Sequence, residues 1–327
     1  MIDAGALAPY RDYVLPEAFI PELPGFYRGK VRENYDLANG ERMLIATDRI
    51  SAFDQGLAVI PFKGQVLTDI ARFWFEATGD ICANHICANP DPNVMVVQRL
   101  EMMPIEIIVR DYLAGSTATS ILPMYKAGAR KIYGIDFPDG LSANQKLPWT
   151  IITPTTKAGH DAHDAPLSAQ DIIERRILTP RQWEDVAQKA FALFWRGREI
   201  AAARGLILAD TKYEFGFNEE GHIVLADEIH TPDSSRYWVA ATYAERLEMG
   251  RPPDSLDKDF IRNWIRARCD PYREPIPEIP GDVILEAAAA YIRTFEIIAG
   301  RSFVLPESLE PAPLERIRAN LAFYWRR

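Results

Sequence analysis

The chain is poor in cysteine and histidine, and both shortages narrow the kinds of site it can build. Its 327 residues include five histidines and three cysteines, Cys82, Cys87 and Cys269. An odd, sparse set of cysteines without C-x-x-C spacing argues against a disulfide framework and a structural zinc site. We therefore expect a protein of the reducing cytosol, with a cytoplasmic location.

The sequence also lacks a basic surplus and any long apolar run. Its formal net charge of −9 makes it a poor match for nucleic acid, whose phosphates need a basic surface. Its apolar stretches are shorter than a membrane span, and its first residues lack the pattern of a signal peptide. The expected partners are small molecules, with neither nucleic acid nor membrane, and we expect a monomer or a small homo-oligomer.

Two common nucleotide-binding fingerprints are missing as well. No G-x-x-x-x-G-K-[ST] run and no G-x-G-x-x-G run occurs, so neither a P-loop nor a Rossmann motif is predicted. Hydrophobic residues make up 48% of the chain and charged residues 25%, which is typical of a folded core. The length suits one large domain or two of ordinary size.

The pattern of strands and helices changes along the chain. Strand-like runs dominate the first third, with a tight hairpin signal at Asn39-Gly40; the strand candidates are 29–37, 42–47, 56–61 and 94–100. Helical spacing follows at 69–78, 181–204, 283–299 (with Asp282 as its cap) and 314–324. We predict a two-lobed α+β fold: an antiparallel β lobe over residues 1–104, and a larger α+β lobe with C-terminal helices over residues 105–327. The apolar run 105–109 would link them.

The most informative stretch is 206–217, LILADTKYEFGF. Side chains alternate between the two faces of a strand, so Asp210, Lys212 and Glu214 would share one face. A second strand over 222–229 would bring Asp227 and Glu228 beside them. Such a row is costly to bury unpaired, and it would suit a polyphosphate with Mg²⁺, which prefers one or two carboxylates plus phosphate oxygens. The alternative is a solvated, charged sheet face.

Several other segments carry groups suited to binding anions. Gly29, Lys30 and Arg32 stand where a strand begins, and the glycine would let backbone approach a phosphate; a plain basic surface is the alternative. Arg110 ends an apolar run and could face a cleft or form a salt bridge. Asp48 and Asp54 flank Ser51 in a turn that could carry chemistry or serve only as an Asx-type turn with capping roles. The remaining segments could hold anions or serve as turns, caps or exposed loops: Gly115-Ser116, Lys157 in a threonine-rich loop, and Asp233 to Arg236.

Taken in order, seven motifs in this chain resemble the SAICAR synthetase family, the phosphoribosylaminoimidazole-succinocarboxamide synthases. The resemblance extends from about Gly29 to Trp264, and the longer chain with its C-terminal helices is similar to the yeast-like form. The motifs are GKVRENYDL, ATDRISAFD, KGQVLT, VRDYLAGS, TPTTKA, LADTKYEFG and DEIHTPDSSRYW.

The resemblance implies a fold and an activity. The β lobe would resemble a kinase small lobe, and the second lobe would be related to ATP-grasp folds. The chain would be an ATP-dependent carbon–nitrogen ligase that joins carboxyaminoimidazole ribonucleotide (CAIR) to L-aspartate in purine biosynthesis, with ATP and Mg²⁺ as cofactors.

The resemblance also implies site residues by position. The ATP side would include Gly29, Lys30, Val31, Arg32 and Met102. Glu214 and Asp227 would bind magnesium and nucleotide, whereas Asp210 and Lys212 would act near the reacting carboxylate. The substrate contacts would be Asp54, Arg110, Ser116, Ser235 and Arg236.

One loop departs from the family pattern. The family has a glycine two residues before a His-Asp pair, and here Asp161 takes that place before His163 and Asp164. Two other functions stay open from the residues alone. One is a kinase-like phosphotransferase acting on a small molecule, although the kinase HRD and DFG runs are absent. The other is a nucleotide sensor without turnover.

Overall fold

The computed structural model of this chain describes residues 2–53, 55–117, 119–157 and 164–325. It confirms the predicted α+β class with antiparallel sheets and C-terminal helices. The likeness to a kinase small lobe and to ATP-grasp folds, and the boundary at residue 104, stay predictions. Among the described residues, no helix is both long and apolar enough to cross a bilayer.

The first part of the chain forms a five-stranded antiparallel sheet and a separate two-stranded hairpin. The strands of this part are β1 (Phe26–Arg28), β2 (Arg32–Asp36), β3 (Glu41–Ala46), β4 (Arg49–Ala52), β5 (Gln55–Val59), β6 (Ile86–Asp91) and β7 (Val94–Gln98). The sheet order is β1-β2-β3-β7-β6, and β4 pairs with β5. The hairpin predicted at Asn39-Gly40 joins β2 to β3, and Gly40 has the positive φ of 81° that such a turn requires.

A seven-stranded sheet follows, built around one long strand. The strands of this part are β8 (Glu101–Met102), β9 (Ile105–Tyr112), β10 (Lys131–Ile132), β11 (Ile135–Asp136), β12 (Lys146–Ile152), β13 (Thr155–Thr156), β14 (Leu206–Phe217), β15 (Ile223–Ala226) and β16 (Ser235–Val239). Its path is β12-β9-β14-β15, with β13 on β9, and β8 and β16 on β14; β10 and β11 pair apart.

Two sequence predictions about these strands are wrong. The run 105–109 is part of the eight-residue strand β9 in the middle of the sheet, because it pairs with β14 on one side and with β12 and β13 on the other, and the strand continues to Tyr112. The return strand predicted to residue 229 ends at Ala226, because Asp227 takes a left-handed backbone conformation with φ of 62°. That turn leads the chain out of the sheet.

The helices pack on both sheets. They are α1 (Ala4–Leu7), α2 (Lys63–Ala77), α3 (Ile121–Lys126), α4 (Ala169–Glu174), α5 (Pro180–Ala203), α6 (Ala240–Glu248), α7 (Asp259–Arg266), α8 (Gly281–Ala299) and α9 (Pro313–Leu321), with short 3-10 turns at Ala8–Tyr10 and Ala322–Tyr324. A capping box between Thr179 and Gln182 starts α5. The predicted cap of α8 is wrong: Pro280 is the N-cap, and Asp282 lies in the first turn, where a carboxylate favours the helix dipole.

One apolar core joins the two sheets. Helix α2 packs against α8 and β3, and α5 packs against β14 and β9. The largest fully buried side chains of this core include Trp74, Phe194, Tyr213 and Phe215. Helix α9 returns to cover the edge strand β6, so the end of the chain supports the first sheet.

The contact between α9 and β6 centres on a buried carboxylate and yields a stability prediction. Arg316 donates two hydrogen bonds of 3.0 Å to Asp91, whose side chain is fully buried. Arg316→Ala should lower the free energy of unfolding by about 3 kcal/mol, because it leaves a buried charge without its main partner. Urea denaturation followed by circular dichroism measures this change.

Arg318→Ala on the same helix is the matched control. Arg318 pairs with Glu22, and both side chains are more than one-third exposed; a pair open to solvent contributes at most about 1 kcal/mol. Equal losses of stability in the two variants would contradict the proposed role of Arg316.

Candidate active site

The site is built on one face of β14. Asp210, Lys212 and Glu214 share that face as predicted, whereas Tyr213 and Phe215 point into the core with 0% and 1% exposure. The strand folds this way because its apolar side chains supply one wall of the core, and alternation then forces the charged ones to the other side. The charged face is itself largely buried, so its groups must pair with each other.

Lys212 gathers acidic groups from three strands or turns. Its Nζ lies 2.6 Å from Glu214 Oε1, 2.8 Å from Glu106 Oε1 and 3.9 Å from Asp227 Oδ2. Lys157 also pairs with Glu214. Burial acts to lower the pKa of Lys212, but the carboxylates of Glu214 and Glu106 outweigh burial and raise that pKa well above its ordinary value. The lysine is therefore a fixed positive charge between acids.

Arg32 joins the first sheet to this cluster. It pairs with Asp227 and lies 3.4 Å from Glu228. Burial opposes ionisation of Asp227, but Arg32, Lys212 and Lys157 hold the pKa of Asp227 well below its usual range. The left-handed turn after β15 is what allows both acids to face one arginine. The structure thus brings together the predicted residues Arg32, Lys212, Glu214 and Asp227.

A second cluster lies at the other end of the same face. The strand register places Asp210 between Arg110 on β9 and Arg236 on β16. Asp210 Oδ2 accepts hydrogen bonds of 2.7 Å from Arg110 and 2.5 Å from Arg236. Arg110 also donates to Thr153, and Arg236 to Asp259. Arg262 also lies 3.1 Å from Asp259, so three guanidinium groups contact the two carboxylates of Asp210 and Asp259. The net positive local charge that results suits a phosphate or carboxylate ligand.

The two predicted serines lie in different surroundings. The hydroxyl of Ser116 is buried and has no hydrogen-bond partner among the described residues, so it has bonding capacity for a ligand. The hydroxyl of Ser235 bonds to Thr211 at 2.7 Å, on the face of β14 opposite the arginines. The structure therefore does not bring Ser235 to the arginine cluster, and its role as a substrate contact stays a prediction.

The predicted nucleotide residues lie on the first sheet and at the junction of the two. The backbone around Lys30 is tied down: Gly29 N–H donates to Arg32 O at 2.8 Å, and the Val31 carbonyl accepts from Thr47 Oγ1 at 2.8 Å. Met102 on β8 pairs with the far end of β14. Asp54, Asp161 and His163 lie outside the described residues.

Sequence reasoning missed several charged groups that the structure adds. The prediction of an apolar link over 105–109 passes over Glu106, although its spacing of four from Arg110 puts both on one strand face. Lys258 and Arg262 are a turn apart at α7, where Lys258 lies 3.6 Å from Asp233 and Arg262 lies 3.1 Å from Asp259. Burial lowers the pKa of Lys258 to about 8. The i, i+4 spacing of these two cations is the signal that could have found them.

A comparison with protein families identifies the chain. The model of SAICAR synthetase matches residues 25–279. The chain belongs to the SAICAR synthetase family. A relative from Mesorhizobium japonicum is 57% identical over 311 residues, which cover 95% of this chain and 99% of the relative. The phosphoribosylaminoimidazole-succinocarboxamide synthase of Legionella pneumophila (strain Paris) is 47% identical over 297 residues, covering 90% of this chain and 94% of that protein.

Solved structures of the SAICAR synthetase family share the fold. The SAICAR synthase of Saccharomyces cerevisiae in complex with SAICAR has a TM-score of 0.76 and 31% identity, and the match covers 89% of this chain and 100% of the yeast chain. This agrees with the predicted likeness to the yeast-like form. A type-2 SAICAR synthetase in complex with ADP has a TM-score of 0.66 at 24% identity, covers 86% of this chain and 100% of that one, and shares the fold.

The arginine cluster yields a prediction that needs no substrate. Asp210→Asn keeps the side-chain shape but removes the charge that Arg110 and Arg236 share. We expect the free energy of unfolding to fall by about 3 kcal/mol, because two buried cations lose their common partner. Thermal or urea unfolding measures the loss. Millimolar inorganic phosphate should stabilise the variant more than the wild type, since a bound anion can replace the missing charge.

Asp139→Asn is the control for this comparison. Asp139 pairs with Arg130 while its own side chain is 89% exposed, so its loss should change stability little. Phosphate that stabilised Asp210→Asn no more than the wild type would argue against an anion site between the arginines.

Proposed function

We propose that this chain is an ATP-dependent ligase that condenses CAIR with L-aspartate, forming SAICAR, ADP and phosphate in de novo purine biosynthesis. The observation that carries the proposal is the single charged face of β14. One end holds acids with Lys212 and Arg32, as phosphoryl transfer needs, and the other end holds the Arg110–Asp210–Arg236 cluster, as an anionic substrate needs. Family membership supports the same reaction.

The reaction requires activation because a carboxylate does not accept an amine directly at neutral pH. In the proposed sequence, a CAIR carboxylate oxygen attacks the γ-phosphorus of ATP, and ADP leaves with the electrons of the broken P–O bond. The aspartate amine then attacks the carbonyl carbon of the acyl phosphate. Inorganic phosphate leaves, the amine loses a proton, and the amide forms.

The nucleotide side is assigned to the junction between the sheets. Lys30, Arg32 and Lys212 would neutralise charge on the transferring phosphoryl group. The backbone at Gly29 and Val31 would approach the phosphates, and Met102 would lie on the adenine side. This arrangement supports the proposed division into an ATP-binding β lobe over residues 1–104, similar to a kinase small lobe, and an ATP-grasp-like lobe over residues 105–327.

Glu214 and Asp227 fit the proposed magnesium site. Both carboxylates approach the same Lys212 Nζ, and one or two carboxylates are the protein ligands that Mg²⁺ uses beside phosphate oxygens. The described residues contain no group of three or more metal-ligating side chains. When bound, Mg²⁺ would neutralise the ATP phosphates.

The ribonucleotide side is assigned to the arginine cluster. Arg110, Ser116 and Arg236 would bind the CAIR phosphate and carboxylate, and so bring the reacting carboxylate to the nucleotide. Ser235 and Asp54 stay in the proposed substrate set on the resemblance alone. Asp210 would orient or deprotonate the incoming ammonium group. The sparse cysteines support a reducing compartment such as the cytoplasm.

A coupled assay of ADP formation tests the function. We expect ADP to form with ATP and CAIR only when aspartate is also present, because the acyl phosphate turns over only when an amine consumes it. ADP formation at an equal rate without aspartate would instead support the kinase-like alternative. ATP binding without turnover in the complete mixture would support the sensor.

The Asp227→Asn variant, measured in the same assay, tests the proposed magnesium role of Asp227. Loss of the carboxylate should reduce kcat by at least about a hundredfold, a typical cost for removing a group that stabilises the transition state, with an unchanged circular dichroism spectrum. Asp136→Asn, at an exposed acid, should retain full activity. Near-normal turnover of Asp227→Asn would remove its metal assignment.

Lys258 gives the site a predicted pH dependence. Its folded pKa of about 8 means that it is mostly charged at pH 7 and mostly neutral at pH 9. If its charge helps to bind the anionic ribonucleotide, the KM for CAIR should rise by about tenfold between pH 7 and pH 9. Lys258→Met should show a high KM that no longer varies over this range. A pH-independent KM in the wild type would exclude Lys258 as a charged contact.

A further inference from the structure

We propose that His230 is a positioning residue, which holds the turn carrying Asp227 and Glu228 against the back of β14. The inference rests on the proposed function, because it concerns how a carboxylate of the nucleotide–metal site is held in place. His230 lies behind the charged face and does not touch the groups to which the reaction is assigned.

The turn needs an external constraint. Asp227 and His230 both have left-handed backbones, with φ of 62° and 50°, and residues other than glycine adopt this conformation only when the surrounding structure holds them there. The bond of 2.8 Å from Thr231 Oγ1 to Glu228 Oε2 closes the turn on itself. That bond cannot fix the position of the turn relative to the sheet.

The side chain of His230 supplies the connection to the sheet. It is fully buried, and its Nε2 lies 2.5 Å from the hydroxyl of Tyr213 on β14. The Trp74 ring on α2 meets it edge to face, with centroids 4.7 Å apart. The hydroxyl of Tyr237 on β16 donates to the His230 carbonyl at 2.8 Å. Three separate elements thus hold one residue of the turn.

A glycine in α5 leaves room for the His230 ring. A Cβ atom on Gly197 would lie 2.2 Å from His230 Cε1 and 2.6 Å from Nδ1. Glycine in the middle of a helix is destabilising relative to alanine, so a glycine here is explained by the space that the imidazole requires. The helix therefore forms the fourth wall of the histidine's pocket.

The bond to Tyr213 connects this pocket to the active site. Tyr213 stands between Lys212 and Glu214 on β14, on the opposite face of the strand. His230 therefore bonds to the strand residue that lies between Lys212 and Glu214, and Glu214 is one of the proposed metal ligands. Through this tie, the separation of Glu214 from Asp227 depends on the histidine. Groups that orient ligating side chains in this way typically matter about tenfold or more for affinity.

Three variants test the inference in steady-state kinetics with Mg²⁺. His230→Leu removes the polar tie, and Tyr213→Phe removes it from the other end while keeping the ring. Both should raise the KM for ATP by about tenfold, with the KM for CAIR changed less than about twofold. His230→Gln should restore most of the ATP affinity, because its side-chain amide can replace Nε2. Nδ1 has no partner among the described residues, so Nε2 is the atom to reproduce.

Calorimetric titration with ADP gives a readout that needs no turnover. His230→Leu should bind ADP about tenfold more weakly than the wild type in the presence of Mg²⁺, and equally well in the presence of EDTA. This comparison can be made even if the wild type shows no ligase activity, so failure of the inference and failure of the proposed function are separable. Gly197→Ala, which pushes against the ring without altering it, should weaken Mg²⁺–ADP binding in the same way.

Tyr243→Phe is the control, since it removes a partly buried hydroxyl that donates to Asn144 O at 2.8 Å, away from the turn. It should leave both KM values and both ADP affinities unchanged. The inference is overturned if His230→Leu and Tyr213→Phe lower the melting temperature but keep the wild-type KM for ATP and the wild-type affinity for Mg²⁺–ADP. It is also overturned if these two variants raise the KM for CAIR as much as the KM for ATP, or if His230→Gln has the same KM for ATP as His230→Leu. Should His230→Leu fail to fold, Tyr213→Phe and Gly197→Ala carry the same test.

Discussion

The charged side chains buried along one face of β14 determine how the neighbouring elements are arranged around the site. The opposite face of the strand belongs to the core, where Tyr213 and Phe215 are fully buried. Alternation then commits Asp210, Lys212 and Glu214 to the other side. Because unpaired charges in a poorly solvated place are costly, every one of these groups needs a partner of opposite sign.

Those partners come from distant parts of the chain. Arg32 arrives from the first sheet, Arg110 from β9, Arg236 from β16 and Lys157 from the loop after β13. The apolar register of each strand decides where its charged residue emerges, so the packing of the core sets the geometry of the site. The result is two clusters of different character on one surface, an acidic one built around Lys212 and a basic one built around Asp210.

Helices outside the second sheet also contribute partners to a buried carboxylate near the site. Tyr291 on α8 donates to Asp233 at 2.5 Å, and the fully buried Lys63 on α2 lies 2.7 Å from the same carboxylate. Burial acts to raise the pKa of Asp233, but Lys258 and Lys63 hold it well below its usual range. The segment that leads into Arg236 is thus anchored by helices from both ends of the chain. This couples the C-terminal part to the basic end of the site.

Local patterning explains how much of this was predictable from the residues. The alternating row on β14, the Asn39-Gly40 hairpin and the long helix α5 each carry their signal within a few neighbouring positions, and the structure confirms them. The strand β9 was missed because its central apolar run looked like a connector, which also hid Glu106. The end of β15 was misplaced because a left-handed Asp227 leaves no trace in the hydrophobic pattern.

The residues alone indicate the chemical types of the site, the face of β14 on which they stand and, through seven ordered motifs, the family. Which charges meet follows from the tertiary structure alone: Arg110 and Arg236 share one oxygen of Asp210, Ser235 faces away from them, and Lys258 pairs with Asp233. The reason is the distance along the chain over which each of these effects acts. Alternation along a strand acts between neighbours, whereas pairing of buried charges depends on the register of strands that are distant in sequence.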